Sequence, residues 1–367
     1  MRILLVTASY LPTSNGVTYH ISSTAEALRD LGHVVYILAP SFPGYKDSDK
    51  YVIRYPSLPN PFVKKYPLGI PIIPIEKIRK LRPDVIHAHH PLVIGQFASQ
   101  VADKLGKLLF ITAHTQYEQY LNYYFPHGFS FTSRIIINDL QKLSESSKKI
   151  ICPSLNTQQR LKKYGIKNTV IIGNGVEPSF FVNPSNKANV QPTLVYTGRL
   201  EREKNPMRLI AVAKELKNKI PNFKMLIIGD GKMFQEMFDK TQKFKLGENI
   251  TFTGQVDRRL LPEIYKSVHL FITPSTSEVM PISVLEAMAS GIPIIAVKNS
   301  GLEEIVIDGK TGFMIQNNPK KVAEKIKSLF SDPKALHNLA LSTYKNVLKY
   351  SAENTAKKLI EIYQIKK

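Results

Sequence analysis

Glu278 and Glu286 flank Pro281 between two apolar runs, Leu270–Pro274 and Pro293–Val297. Each run reads as a buried strand, and the residues between them read as a loop and a helix. Pro281 suits the first helical position, where a missing N–H costs nothing. Gly291 suits the position just past the helix end. The N–H groups of Ile282, Ser283 and Val284 then point out of the helix start, toward an anion. Glu278 falls on the loop leaving the strand, and Glu286 on the helix face of Ile282 and Ser283. Carboxylates on both sides of an anion site suit a ligand with hydroxyls on both sides of a phosphate, as in a nucleotide-sugar. The same pattern also suits a surface helix with two solvated glutamates.

Arg199 and Lys204 lie between a strand, Thr193–Gly198, and a helix starting at Pro206, a place suited to a pyrophosphate. In the first half of the chain, histidines alternate in Asp84-Val85-Ile86-His87-Ala88-His89, and His90 follows. Alternation puts His87 and His89 on one face of a strand. With no cysteine or acidic ligand close by, these histidines are not read as a metal set. His89 and His90, at the strand's carboxyl end, are placed to touch a substrate. His114 sits just beyond the strand Leu108–Thr112, where ligands of such sheets bind. Tyr117, Tyr120 and Tyr124 recur at helical spacing, as packing residues or as a platform for sugar hydroxyls or a lipid headgroup. Asp47-Ser48-Asp49 has no apolar strand before it and reads as a solvated loop.

The elements that carry these residues repeat a strand–helix–strand rhythm with parallel sheets. Residues 2–7 read as a strand, Ala8–Gly16 as a turn-rich loop, Val17–Leu31 as a helix and Val34–Ala39 as the next strand. The loop lacks the spaced glycines of a dinucleotide fingerprint, which argues against a nicotinamide dehydrogenase. Its one glycine, Gly16, permits close approach of a ligand. Residues 40–74 are proline-rich loops and short strands. A helix over 134–149 and a strand at Lys149–Pro153 follow, and Gly173–Pro184 reads as the linker. The second half offers strands at Phe223–Ile228 and Ile250–Thr253, then helices over Lys320–Phe330, Asp332–Tyr350 and Ala352–Ile365. The expected domains are 1–170, 171–350 and a C-terminal helix, 351–367, returning to the first domain.

The length of 367 residues favours two cores. A single cysteine, Cys152, excludes a disulfide framework and cysteine-built zinc clusters, and suits a reducing cytoplasm. No apolar run approaches the ~18 residues of a membrane span. The net charge of +21 is spread along the chain, which fits attraction to anionic surfaces. A local cluster, Lys64, Lys65, Lys77, Arg79, Lys80 and Arg82, fits either a solvated face or contact with anionic lipid. No basic-aromatic module of the nucleic-acid kind appears.

In this order and spacing, the motifs resemble those of the family 4 glycosyltransferases. They are Asn15-Gly16-Val17, His114-Thr115, Gly198-Arg199-Leu200 with Glu203-Lys204, Gly229-Asp230-Gly231, and Glu278 with Glu286-Ala287-Met288 and Gly291. The resemblance covers essentially the whole chain. It implies an α/β GT-B fold, two Rossmann-like domains facing across a cleft, and retaining transfer from a nucleotide-diphosphate sugar. It implies no cofactor and no divalent metal, since basic residues take the metal's place. By the resemblance, Arg199 and Lys204 neutralise the pyrophosphate, helped by backbone at Met280, Pro281, Ile282 and Ser283. Glu286 binds the ribose, Glu278 the sugar, and Gly229 and Val256 lie by the base. Gly16 admits the diphosphate, and His114 sits at the sugar and acceptor, with Tyr19, Tyr117 and Tyr120 on the acceptor side.

The stretch from Asn15 to Thr18, with that from His114 to Tyr120, looks most like the branch that glucosylates diacylglycerol in bacterial membranes. That implies UDP-glucose as donor and a peripheral location on the inner face of the cell membrane. Pro281 stands where many members of that branch carry glycine; proline there is common in mannosyltransferases. A GDP-mannose-dependent enzyme acting on phosphatidylinositol, or on a soluble or polysaccharide acceptor, is the alternative. A non-catalytic membrane- or nucleic-acid-binding protein explains the charge but not the ordered motifs, and a GT-B epimerase should lack the Glu278/Glu286 pair.

Overall fold

The structure is a computed structural model that describes residues 1–60, 66–114, 129–184, 191–276, 278–298 and 301–365. The chain forms two compact units, Met1–Gly175 with Ala352–Lys367, and Val176–Ser351.

The first unit is built on strands β1 (Arg2–Val6), β2 (Val34–Pro40), β3 (Val52–Tyr55), β6 (Val85–Ala88), β7 (Leu108–Thr112), β8 (Lys149–Cys152) and β9 (Thr169–Ile171). They form one parallel sheet in the order β3-β2-β1-β6-β7-β8-β9. A short antiparallel pair, β4 (Ser57–Leu58) and β5 (Leu68–Gly69), stands outside it. The strands are mostly apolar because both faces are covered. Ile3 and Leu5 join a core with Ile21 and Leu28 of helix α1 (Gly16–Asp30) and with Ala356, Leu359 and Tyr363 of the C-terminal helix, Ala352–Tyr363. Leu4 and Val6 face the other way, into a core that includes Ile78 of α2 (Ile75–Lys80), Ala98 and Val101 of α3 (Leu92–Leu105), Leu140 of α4 (Phe129–Ser146) and Leu161 of α5 (Leu155–Lys163). Burying each such aliphatic side chain contributes roughly 1.5–3 kcal/mol. Cys152 lies in this core, and burial pushes its thiol up to about 12.

The second unit carries a parallel sheet of β10 (Thr193–Thr197), β11 (Lys224–Ile228), β12 (Ile250–Gly254), β13 (Leu270–Thr273), β14 (Ile294–Val297) and β15 (Gly312–Ile315). Its order is β12-β11-β10-β13-β14-β15. One core holds Leu209, Val212 and Leu216 of α6 (Met207–Lys217), Met237 of α7 (Phe234–Lys243), Ala323 and Ile326 of α10 (Pro319–Phe330), and Leu336 and Leu339 of α11 (Pro333–Val347). The opposite core holds Leu261 and Tyr265 of α8 (Leu261–Lys266), and Val284, Leu285 and Met288 of α9 (Ile282–Ala289).

In each sheet the chain reverses its direction of winding at one place, between β1 and β6 and between β10 and β13. At such a switch point the loops leaving adjacent strands part and leave room for a ligand.

Local differences from the expectation have simple causes. Pro281 is the N-cap of α9 rather than its first helical residue, with extended φ −71° and ψ 126°. Asn15 caps α1 by accepting from the Thr18 N–H at 2.9 Å, so the helix starts at Gly16 rather than Val17. Helix α4 ends at Ser146, earlier than expected, because Lys148 already donates its N–H to Leu109 O of the neighbouring strand. Asp47 and Asp49 are not a freely solvated pair: they are held by Arg54 at 2.6 Å and Arg29 at 2.8 Å.

Two glycines separate structural from ligand-driven need. Gly229 has φ +138°, and a Cβ there would stand 1.9 Å from Gly198 O. Gly16 has nothing within 4 Å of an added Cβ. Gly229→Ala is therefore expected to lower stability by roughly 2 kcal/mol or more. Gly16→Ala should stay within about 0.5 kcal/mol of the parent. Thermal or denaturant melts check both, and equal losses would contradict the assignment.

Candidate functional site

At the switch point of the second unit, the loops leaving β10 and β11 are laced together. Gly198 donates to Ile228 O at 3.0 Å, Leu200 to Asp230 O at 3.0 Å and Met233 to Leu200 O at 2.9 Å. Gly229 and Gly231 both permit this approach; a Cβ on Gly231 would stand 2.5 Å from Leu200 O. The Tyr196 hydroxyl donates to Arg199 O at 3.0 Å. A short 3-10 turn, Arg202–Lys204, then closes on Asn205 in the left-handed conformation at φ +51°. This frame fixes the start of the loop that carries Arg199 and Lys204.

Both cations are paired with carboxylates. Arg199 lies 2.8 Å from Glu203, which is buried. Lys204 Nζ donates to Glu278 Oε1 at 2.7 Å, joining the loop after β10 to the loop after β13 across the switch point. Gly301 presses on the second loop so closely that a Cβ would meet Glu278 O at 1.8 Å. Glu278 thus stands beside a cation.

Helix α9 begins a few residues further on. Val284 N–H is already bonded to Pro281 O at 3.2 Å, so it does not join the outward-pointing set expected from sequence. The N–H groups of Ile282 and Ser283 carry no hydrogen bond among the described residues. Met280 is buried in the core under α9, which leaves only its backbone for a ligand. Val256 follows the left-handed Gly254 and packs against that same core.

Glu286 is buried, and sequence reasoning missed its partner. Arg258 donates to Glu286 Oε1 from Nε at 2.8 Å and from Nη2 at 2.5 Å, and binds Glu177 through Nη1. Its guanidinium also lies 5.0 Å from the Phe180 ring centroid. Burial pushes the Glu286 carboxyl up, and Arg258 pulls it back down. For Arg258, burial works against the cation, but Glu286 and Glu177 more than offset it and its pKa is raised. Glu286 Oε2 has no hydrogen bond among the described residues and remains an acceptor. The one sequence signal for Arg258 was its place just past a strand end, beside Val256.

The first unit gathers histidines at its own switch point. His87 lies within the sheet, bonded through Nδ1 to the Tyr363 hydroxyl at 2.6 Å and through Nε2 to Thr112 Oγ1 at 2.7 Å. His89 is wholly buried, so it does not touch a substrate as expected. Its Nδ1 lies 2.9 Å from His114 Nε2, with the two rings 17° from coplanar. His90 Nδ1 accepts from the Ala8 N–H at 3.1 Å. His20, which the sequence did not single out, comes from α1 and stands edge-on to His114 at 4.9 Å. Burial lowers all five imidazoles: His20 and His90 to about 4, His87 to about 3, and His89 and His114 well below 6.5 with neighbouring imidazoles adding to the effect.

Gly16 lies exposed at the start of α1. Tyr19, one turn on, bonds its hydroxyl to that of Ser14. Tyr117 and Tyr120, with Lys64 and Lys65, fall outside the described residues. Lys77, Arg79, Lys80 and Arg82 are exposed, on α2 and just after it, with Ile78 as the buried anchor.

Two family models together match residues 14–346: "Glycosyltransferase Family 4" over residues 14–180 and "Glycosyl transferases group 1" over residues 177–346. An alpha-monoglucosyldiacylglycerol synthase of Streptococcus pneumoniae is 26% identical over 99% of this chain and 85% of its own length. A GDP-mannose-dependent alpha-mannosyltransferase of Mycolicibacterium smegmatis is 28% identical over 86% of this chain and 84% of its own. Among solved structures, TarM of S. aureus, crystallised with UDP, superposes with a TM-score of 0.80 at 14% identity, covering 99% of this chain and 100% of that one. With two parallel sheets of this topology and both halves matched, the chain belongs to the GT-B glycosyltransferases of family 4.

Proposed function

We propose that this enzyme is a retaining hexosyltransferase that moves glucose from UDP-glucose to the hydroxyl of a membrane lipid such as diacylglycerol. The observation that carries the donor half is the Lys204–Glu278 pair at the switch point of the second sheet, next to the start of α9. A pre-paired lysine and glutamate suit a ligand that joins a pyrophosphate to a hydroxyl-rich sugar. Lys204 and Arg199 meet the phosphates, whose charge grows as the sugar leaves. The N–H groups of Ile282 and Ser283, with the backbone of Met280 and Pro281, add to that stabilisation. Glu278 holds sugar hydroxyls, Glu286 Oε2 accepts from the ribose, and the backbone at Gly229 and Val256 borders the base. Two cations here take the part a divalent metal plays elsewhere.

In the first unit, His114 with Tyr19, Tyr117 and Tyr120 serves the acceptor, and Gly16 leaves the start of α1 open to ligand. The lipid reading rests on a surface. Leu58 and Leu68 pair across β4 and β5 and are 55% and 51% exposed, and Ile72 is 72% exposed. They run directly into the cations of α2. Exposed aliphatics beside lysine and arginine suit insertion into an anionic bilayer, each cation adding about 1 kcal/mol. No helix among the described residues is long and apolar enough to cross a membrane. The similar identity of the mycobacterial relative favours a second reading, GDP-mannose as donor.

The central test is thermal: UDP at about 100 times its Kd should stabilise the protein by about 2.7 kcal/mol. A larger shift with GDP would move the reading to mannose, and no shift with either would remove it. Lys204→Met should lower kcat by about 10²-fold or more. Glu203→Gln, which removes the carboxylate paired with Arg199, should cost far less, and equal losses would refute the assignment. Arg258→Leu removes the influence that holds Glu286 down, so the carboxyl takes a proton at higher pH. Donor KM should then rise as pH falls in the variant while staying flat in the parent; a pH-independent KM would count against Glu286 on the ribose. With vesicles containing phosphatidylglycerol, the protein should float at low salt. Replacing Lys77, Arg79 and Lys80 by glutamate should abolish flotation without affecting UDP binding, and unchanged flotation would reject this surface.

A further inference from the structure

We infer that His89 is a positioning residue that locks His114 in the tautomer with its proton on Nδ1, making His114 a hydrogen-bond donor to the transferred sugar or acceptor and denying it the role of a base. The inference deepens the proposed function and rests on His114 touching substrate.

The argument turns on one hydrogen bond and one unpartnered atom. His89 Nδ1 and His114 Nε2 stand 2.9 Å apart, so one of them donates. A neutral imidazole has a single N–H. If His114 donated, the proton of His89 would lie on Nε2. That atom is buried and has no partner among the described residues. An orphaned buried N–H is rarer and more costly than an under-used acceptor. His89 therefore carries its proton on Nδ1 and donates, and its bare Nε2 is the tolerable remainder. His114 Nε2 then accepts, so its own proton is on Nδ1, which has no hydrogen bond among the described residues. Burial and the surrounding imidazoles keep both rings neutral.

His87 braces the arrangement from behind. Both its nitrogens are bonded, to Tyr363 of the C-terminal helix and to Thr112 of β7, and its ring packs 4.2 Å from that of His89. Turning His89 over would take its Nδ1 away from His114 Nε2. A transition-metal ion is a rival occupant, because His20, His89 and His114 offer nitrogens within 4.8 Å of one another. Metal-bound imidazoles hand their second N–H to a carboxylate or carbonyl. Here His20 Nδ1 and His89 Nε2, unpartnered among the described residues, are nitrogens an ion would take, but the other nitrogen of His89 meets His114 Nε2 in place of a carboxylate or carbonyl.

The test begins with the intact protein labelled with 15N at histidine. Its long-range 15N–1H spectrum, assigned with His89→Asn and His114→Asn, should show His114 protonated at Nδ1 and bare at Nε2. The opposite tautomer, or a charged His114 at pH 7, overturns the inference whether or not the enzyme transfers glucose. Kinetics adds a second arm. His89→Asn keeps an N–H near the Nδ1 position and should retain most of kcat. His89→Asp offers only an acceptor, and kcat should fall by about 100-fold or more, as when a catalytic histidine is held in its wrong tautomer, with donor KM little changed. Equal losses in the two folded variants would mean that His89 merely packs. Stoichiometric Zn²⁺ or Co²⁺ binding that disappears with His20→Ala would give the cluster to a metal instead. Loss of transfer activity in the parent, with the tautomer intact, would refute the functional reading alone.

Discussion

Both sheets are parallel and covered on both faces, and that constraint decides where chemistry can occur. Strand residues such as Ile3, Leu4, Leu5 and Val6 are wholly buried, leaving them only packing to do. Polar side chains can meet a ligand only where the strands stop. The winding reverses between β1 and β6 and between β10 and β13, so the loops there diverge instead of covering one another. His89 and His90 follow β6, Arg199 and Lys204 follow β10, and Glu278 follows β13. Each candidate group therefore owes its position to the direction of its strand and the order of its sheet.

Placing charge at those ends has an electrostatic cost, which the second unit meets by pairing. Glu286 is buried, and burial alone would favour its neutral acid. Arg258 opposes that, and Arg258 is itself held by Glu177 and by the Phe180 ring. Removing the arginine would leave a buried carboxylate uncompensated, the situation in which breaking a pair costs most. The half-buried Lys204–Glu278 pair is different in kind. It joins two loops, and on the proposed function a ligand bearing both phosphate and hydroxyl groups replaces the pair with a partner on each side. One ion pair therefore serves stability and the other serves exchange.

Much of this was legible in the sequence. Apolar runs announced the parallel strands, because strands buried on both faces have no polar alternation to blur them. Pro281 and Gly291 marked helix ends through their backbone preferences, with Pro281 off by one position because an N-cap and a first helical residue tolerate proline nearly alike. What stayed hidden were contacts between residues far apart in the chain. His20 lies on α1 with nothing in its surroundings to separate it from a core residue, and only the α1–β6 approach brings it to His89. Arg258 sits among Asp257 and Arg259, an ordinary charged turn, and becomes important only because Glu177 and Glu286 converge on it. Gly229 was read as a ligand residue, yet its packing against Gly198 gives it a structural reason first.

The two units solve opposite problems with opposite chemistry. On the proposed function, the second faces a group whose negative charge increases during reaction, and it gathers full cations, helix-end N–H groups and carboxylates that keep those cations in place. The first gathers five histidines that are all held neutral. Protonating one of them would set a cation among imidazoles with no carboxylate in hydrogen-bond contact among the described residues, at a cost in desolvation. A neutral cluster can still be directional, because each ring has one donor and one acceptor and the bonds between rings fix which is which. On this reading charge sets affinity where the ligand is ionic, and tautomer sets orientation where it offers only hydroxyls. This division explains why histidines so close to one another are kept far from their usual titration range: a ring that changed charge near neutral pH would lose the directionality for which the cluster is built.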